Sequence, residues 1–299
     1  MKRFHQLILS GVLMGVLTAI PASALEPGQS PPKRLYSIGD SITRAVNANL
    51  PFDNVNNSWV NGYYGFWEWL FGLPNIKSHN QRISANFGSS GRKNWMAAQN
   101  GAQTNDLVSQ ATGTAGRNVT YATVMLGAND VCRESFADLP ADDEFKTSFS
   151  DGMDILLGNL PNGATVQVVA IPDLKRLYDI GKDKTALGIV DCEVLWATTV
   201  LGFPCGSMLS PFNSEVDRLY VQSRNIGYNR ILKEVTEEKQ AEHQTSGKFV
   251  SFTEVSFTYE FTETDISDID CYHPSWRGQR TLATITWDAG PFQAYQAGN

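Results

Sequence analysis

A serine hydroxyl becomes a useful nucleophile near neutral pH only with a base beside it, an acid to orient that base, and donors for the oxyanion that forms. Ser41 is the candidate nucleophile. It lies in Arg34-Leu35-Tyr36-Ser37-Ile38-Gly39-Asp40-Ser41-Ile42-Thr43, where a short apolar run stops at Gly39-Asp40 and delivers the serine into a loop. Asp270 and His273 supply an acid and a base three residues apart, just before a predicted helix. At that spacing in a turn the carboxylate can reach one ring nitrogen, fix the tautomer and leave the other nitrogen free to take a proton. An isolated Asp-x-x-His is common by chance. His273 is singled out because it is the only histidine flanked by a well-placed acid, and because it lies where the chain returns after the last predicted strand.

Parallel strands buried on both faces read as near-continuous apolar runs separated by helices, and the sequence has that rhythm. Strands are predicted at Lys33 to Ile38, Arg82 to Phe87, Val119 to Leu126, Ala164 to Ile171 and Lys248 to Val255. The first three end in the polar loops Gly39-Asp40-Ser41, Gly88-Ser89-Ser90-Gly91 and Gly127-Ala128-Asn129-Asp130. In open parallel sheets ligands bind beyond the carboxyl ends of the strands, so these loops should share one edge. Helices are predicted at Trp59 to Leu73, Asn94 to Gln110, Glu144 to Leu160 and Asn213 to Gln244, and a last one capped by Ser275 and running to Ile285. In the aromatic stretch, positions 59, 63, 66, 67, 70 and 71 share one helical face, which is expected to pack on the sheet. Tyr64 and Trp69 on its other side could line an apolar channel. Transient contact with a lipid interface is a weaker reading, since the face lacks a Lys/Arg rim. Leu174 to Pro211 breaks the rhythm and reads as an insertion. No internal repeat is visible, so residues 33–299 are expected to form a single domain after a loose lead-in at 25–32.

Lys2 and Arg3, the apolar run from Leu7 to Ile20 and Pro21-Ala22-Ser23-Ala24 have the form of a cleavable signal peptide over residues 1–24, too short for a comfortable membrane span. The destination would be secreted or periplasmic. The remainder holds 22 basic and 31 acidic residues, a net −9 that argues against a nucleic-acid partner. Cys132, Cys192, Cys205 and Cys271 are an even set in an exported chain, which favours two disulfides, with three pairings open. Cys192 and Cys205 could staple the insertion locally. A zinc site is weighed well below disulfides, because there is no Cys-x-x-Cys and only His79, His243 and His273 remain after residue 24.

Gly39-Asp40-Ser41, Gly88 within Asn86-Phe87-Gly88-Ser89-Ser90-Gly91, Gly127-Ala128-Asn129-Asp130 and Asp270-Cys271-Tyr272-His273-Pro274-Ser275, in this order, resemble the four sequence blocks of the SGNH (GDSL-type) hydrolases. The resemblance runs from about Lys33 to the last helix. It implies a three-layer α/β/α sandwich with a mainly parallel, flavodoxin-like sheet, and catalysis by Ser41, His273 and Asp270. The oxyanion hole it implies is made by the N–H groups of Ser41 and Gly88 and the side-chain amide of Asn129. No metal or organic cofactor is implied. Isoleucine at position 42 stands where the family name has leucine, a conservative exchange, and Gly-x-Ser-x-Gly is absent, so the α/β-hydrolase elbow is not supported. If the four blocks meet at one pocket, Cys132 and Cys271 become neighbours, which predicts a Cys132–Cys271 disulfide and leaves Cys192 with Cys205. Cysteines within the blocks also resemble the phospholipase B-like branch.

The expected function is therefore a secreted serine esterase or lipase that cleaves carboxylic esters through an acyl-enzyme, with lipid or phospholipid acyl esters slightly favoured. The same site would serve a carbohydrate O-acetyl esterase. A non-catalytic binding protein of this fold is a third reading, disfavoured because a binding module has no need of Ser41, Gly88, Asn129, Asp270 and His273 together.

Overall fold

The structure is a computed structural model that describes residues 25–197 and 205–295. The signal peptide expected at residues 1–24 lies outside the described residues.

Five parallel strands form the central sheet: β1 (Arg34–Gly39), β2 (Lys93–Met96), β3 (Tyr121–Met125), β4 (Thr165–Val169) and β7 (Phe249–Thr253), in the order β2-β1-β3-β4-β7. β5 (Thr185–Ala186) and β6 (Val190–Asp191) make a separate small hairpin. The helices are α1 (Phe66–Leu70), α2 (His79–Phe87), α3 (Leu107–Thr112), α4 (Ala128–Val131), α5 (Asp142–Asn159), α6 (Leu174–Gly181), α7 (Cys192–Ala197), α8 (Gly206–Leu209), α9 (Glu215–His243), α10 (Val255–Thr258) and α11 (Trp276–Asp288). The result is the expected α/β fold, a parallel sheet covered by helices. β3 and β4 are buried at every position, as their β-branched runs require. The central register aligns Ile38 with Val124 and Val124 with Val168.

α3, α5 and α9 cover one face of the sheet, with Phe145, Phe149, Met153 and Leu156 from α5 and Tyr228, Ile231 and Val235 from α9 fully or almost fully buried. α2 and α11 cover the other, where Tyr121 of β3 bonds His79 and Gln167 of β4 donates to the Thr286 carbonyl. Ser275 caps α11 as expected, and α9 begins two residues later than the expected Asn213, where Ser214 accepts the N–H of Asp217. The strand order places the switch point of the sheet at β1, whose neighbours β2 and β3 lie on either side, and a crevice opens beyond their carboxyl ends.

Four local expectations are corrected. Residues 82–87 belong to helix α2, because Ser78 and Gln81 form a reciprocal capping box that starts a helix just before them. The second strand is instead β2, which overlaps the start of the segment 94–110 read as a polar helix. It is a short edge strand with an exposed start, so it lacks an apolar run. The aromatic segment is not one helix packed on the sheet. Trp59 and Val60 are buried in a turn, a Cβ at Gly62 would sit 2.5 Å from the Ser58 carbonyl, and the helix that follows, α1, has no buried residue. The lead-in is tied down, with Ser30 N–H donating to Gly163 (2.8 Å) and Gln29 to Thr165 (3.0 Å) at the amino edge of the sheet.

Candidate active site

β1 ends at Gly39 and the chain bends at once into a helical turn. A Cβ at residue 39 would lie 2.2 Å from Thr43 Oγ1, so only glycine allows the bend. Asp40 closes the turn by accepting the N–H of Ile42 (2.8 Å), an Asx turn that presents Ser41 at the carboxyl edge. On the far side of the crevice, the segment after β7 and α10 returns through Ser267, whose N–H donates to the His273 carbonyl (2.8 Å), and through a bridge between Ile266 and Pro274. This small loop carries Asp270 and His273.

The three side chains form one hydrogen-bonded line. His273 Nε2 lies 2.8 Å from Ser41 Oγ, and His273 Nδ1 lies 2.6 Å from Asp270 Oδ2. Asp270 also accepts from the N–H groups of Tyr272 (2.9 Å) and His273 (3.0 Å) and from Asn47 Nδ2 (2.6 Å). Burial pushes Asp270 up, but the His273 ring and these donors outweigh it, and the carboxyl lies below its ordinary range. It stays ionised and accepts the Nδ1 proton, which leaves Nε2 as acceptor for the serine O–H. For His273 burial works against the charged ring, yet Asp270 reverses the balance and its basicity is raised. The arrangement can take a proton from Ser41 and hold the imidazolium that results.

Asn129, at the start of α4, donates to the Ala102 carbonyl (2.9 Å) and approaches Asp40 Oδ2 at 3.5 Å. Asp130 beside it accepts both the N–H (3.0 Å) and the hydroxyl (2.8 Å) of Thr104. These bonds clamp the loop after β2 to the loop after β3. Burial raises Asp40 to about 7 and Asp130 to about 6.

Gly88 is not in this group. It ends α2, on the amino side of β2, where the ring of neighbouring Phe87 packs tilted against Tyr295 (centroids 4.5 Å apart) and Asn86 donates to the Tyr295 carbonyl. β2 runs parallel to β1, so its amino end and Ser41 are at opposite edges of the sheet. The glycine at the correct edge is Gly101, in the turn Gln99–Ala102 that Asn129 holds; its φ of +77° suits glycine. The sequence signal for it is Asn100-Gly101 one residue after Trp95-Met96-Ala97-Ala98, obscured by the helix reading. Asn47 was also missed, a polar loop residue whose role depends on a contact across 223 positions.

The disulfides correct the expected pairing. Cys132 joins Cys205, and Cys192 joins Cys271. Cys132 and Cys271 do belong to adjacent loops, with the hydroxyl of Tyr272 2.7 Å from Cys132 Sγ, but each sulfur is bonded to a cysteine of the insertion. Each cysteine therefore reaches outward to residues 174–211, which contain α6, the β5–β6 hairpin, α7 and α8. That insertion also supports the acid through Trp196, whose indole N–H donates to the Asp270 carbonyl (3.2 Å).

The sequence profile of the GDSL-like lipase/acylhydrolase family matches residues 35–285. The chain belongs to this family. As a GDSL-like acylhydrolase it is an ester hydrolase. No curated relative matches the sequence. Among solved structures, an extracellular lipase from Streptomyces rimosus is 17% identical, with 85% of this chain and 98% of that one covered and a TM-score of 0.42. A protein assigned as a GDSL-like lipase from Parabacteroides merdae is 10% identical, with 89% and 98% covered and a TM-score of 0.45. Likeness at this level carries nothing about the chemistry of the GDSL-like site described here. Among the described residues no group of three or more His, Cys, Asp or Glu side chains is placed to hold a metal, and no helix is long and apolar enough to cross a membrane.

Proposed function

We propose that this GDSL-like hydrolase is an exported serine esterase that cleaves acyl esters of lipids through an acyl-enzyme. The observation that carries the reading is the continuous line from Ser41 Oγ through His273 to Asp270. Ser41 attacks the ester carbonyl carbon as His273 Nε2 takes its proton, and the oxyanion forms against the N–H groups of Ser41 and Gly101 and the Asn129 amide. Collapse of the tetrahedral species breaks the bond to the alcohol, which leaves with the proton from His273. Water then repeats the sequence on the acyl-enzyme and frees the acid. Asp270 holds the ring and stabilises its charged form without taking the proton. The residues suffice for this chemistry without a metal or organic cofactor.

Export is supported by the form of residues 1–24 and by two disulfides. A fluorophosphonate that labels serine hydrolases tests the core of the reading: the folded protein should be labelled at Ser41, and Ser41→Ala should be neither labelled nor active on an aryl ester. Turnover by Ser41→Ala near the wild-type rate would refute the assignment. A series of aryl esters from acetyl to long acyl chains, set beside acetylated sugars, separates a lipid esterase from a carbohydrate O-acetyl esterase.

A further inference from the structure

α1 and its flanks form an apolar projection that the chemistry at Ser41 does not use. Phe66, Trp67, Trp69, Leu70 and Phe71 are each 50–70% exposed, and Tyr63 beside them is also exposed. Their rings pack on one another: Phe66 lies 5.3 Å from Trp67 and 5.9 Å from Trp69, and Trp67 stacks on Phe71 at 6.1 Å. What holds the projection is polar. Glu68 accepts from the N–H of Gly65 (2.9 Å) and from Asn56 Nδ2 (3.3 Å), and Ser78 Oγ donates to the Gly62 carbonyl (2.6 Å) at its base. Soluble surfaces rarely leave so many large apolar side chains together in water without a use for them.

We infer that this projection inserts into the surface of a neutral or zwitterionic lipid aggregate and seats the hydrolase on its substrate. Three observations choose this occupant. At 3.6 residues per turn, positions 66, 67, 69, 70 and 71 sweep roughly 200° of the helix, leaving only the Glu68 side for the protein body. A second copy or another folded protein would cover one stripe; a fluid apolar phase covers an arc this wide. The one charged side chain of α1, Glu68, is spent on Gly65 and Asn56, so the polar groups left among the rings are the indole N–H groups of Trp67 and Trp69 and the hydroxyl of Tyr63, amphipathic tips of the kind that sit at a lipid–water interface. Finally, residues 63–73 contain no Lys or Arg and the whole chain carries −7, so attraction to anionic headgroups is excluded as the driving force.

The projection is linked to the site by a short path. Asn47, which donates to Asp270, also pairs with Phe52 through its side-chain carbonyl and its N–H (both 2.8 Å), and Phe52 and Leu50 are themselves exposed. Asn56, a few residues on, bonds Glu68. A membrane-seated projection therefore adjoins the loop that supports the acid of the site.

The consequence for turnover rests on the lipid-ester reading; binding does not, and the two are measured separately. The purified protein from an exporting host is floated with vesicles of phosphatidylcholine, with and without anionic lipid, and its tryptophan emission is read with bromine-labelled phosphatidylcholine. Wild type and Ser41→Ala should both co-float and be quenched, without gain from anionic lipid. Trp67→Asp with Phe71→Asp should weaken binding at least about tenfold, and Trp69→Ala less. Unchanged turnover of a soluble short-chain aryl ester by these variants shows that the fold and site are intact. Binding that is absent in wild type, unaltered in Trp67→Asp with Phe71→Asp, or dependent on anionic lipid overturns the inference. So does a wild-type dimer that the double variant dissolves, or retention on a polysaccharide that it abolishes. Vesicle binding without turnover of any ester would sink the proposed function alone; turnover without vesicle binding would sink this inference alone.

Discussion

Two histidines lie beside the central strands, His79 fully buried and His273 with a side chain only 12% exposed, and both ring nitrogens of each are bonded, yet their chemistry is opposite. His79 meets two neutral hydroxyls, Tyr121 at 3.0 Å and Thr286 at 2.9 Å, and stands edge-on to Trp59 and Trp287. Burial, helped by the charge of Arg82, pulls its basicity down to about 3. His273 meets one hydroxyl and one carboxylate, and its basicity rises instead. Burial is common to both, so the carboxylate is what separates a structural histidine from one able to accept a proton near neutral pH.

Removing that carboxylate charge is the strongest way to break the contrast. Asp270→Asn keeps the shape of the site but offers Nδ1 an amide in place of an ion, and kcat should fall by about 10⁴-fold with KM little changed. Full activity in the variant would mean that the ring does not work as described. Weaker, though still large, is the loss of the proposed oxyanion donor: Asn129→Ala should lower kcat by about 10²–10³-fold. Here the two glycines give an internal control, since Gly101→Ala should impair turnover and Gly88→Ala, at the opposite edge, should leave it near wild type. The reverse pattern would restore Gly88 to the site. Next in size, Cys192 and Cys271 clamp the loop of His273 to the insertion, and nothing comparable holds His79. The paired change Cys192→Ser with Cys271→Ser should cost about 2–5 kcal/mol of stability in a urea titration, and near-neutral stability would show that the insertion is held by packing alone.

How much of this was legible follows the same division between local and distant causes. β1, β3, β4 and β7 were readable because strands buried on both faces announce themselves as apolar runs, and Ser41 and Asn129 follow two of them directly. Asp270 and His273 were readable because their relation spans only three positions. β2 was not, since Lys93-Asn94-Trp95-Met96 at a sheet edge has no need of an apolar run, and with it went Gly101. Gly88 was a helix end that looked like a strand end; the capping box Ser78-His79-Asn80-Gln81 held the correction. The disulfides turn on where the insertion brings Cys192 and Cys205 against Cys271 and Cys132, a tertiary fact that no spacing encodes. The exposure of α1 was hidden for the opposite reason: its sequence has a core-facing pattern, and only the fold reveals that no core lies beneath it.

The smallest expected effect separates the histidines by pH. The folded value of His79, about 3, lies below the ordinary 6.5, so between those limits the unfolded chain binds the extra proton and stability falls as pH falls. At pH 5 this amounts to about 2 kcal/mol relative to neutral pH. His273 has the other sign: its raised folded pKa contributes stability that is full below 6.5 and is lost as pH rises from 6.5 through the folded pKa. Asp40, raised to about 7, likewise favours the folded state toward acid. The wild-type pH profile therefore mixes opposing slopes, and the comparison must be a difference. His79→Gln removes only the His79 contribution, so although less stable at pH 7.5, it should lose about 2 kcal/mol less than wild type between pH 7.5 and 5 in urea titrations. An identical slope in both proteins would mean that His79 takes up its proton as readily in the fold as in the unfolded chain. In the same pH range kcat/KM on a soluble ester should rise toward alkali with an apparent pKa above 6.5, because the neutral form of His273 is the proposed base. That limb should be unmoved in His79→Gln, since the two rings answer to different partners.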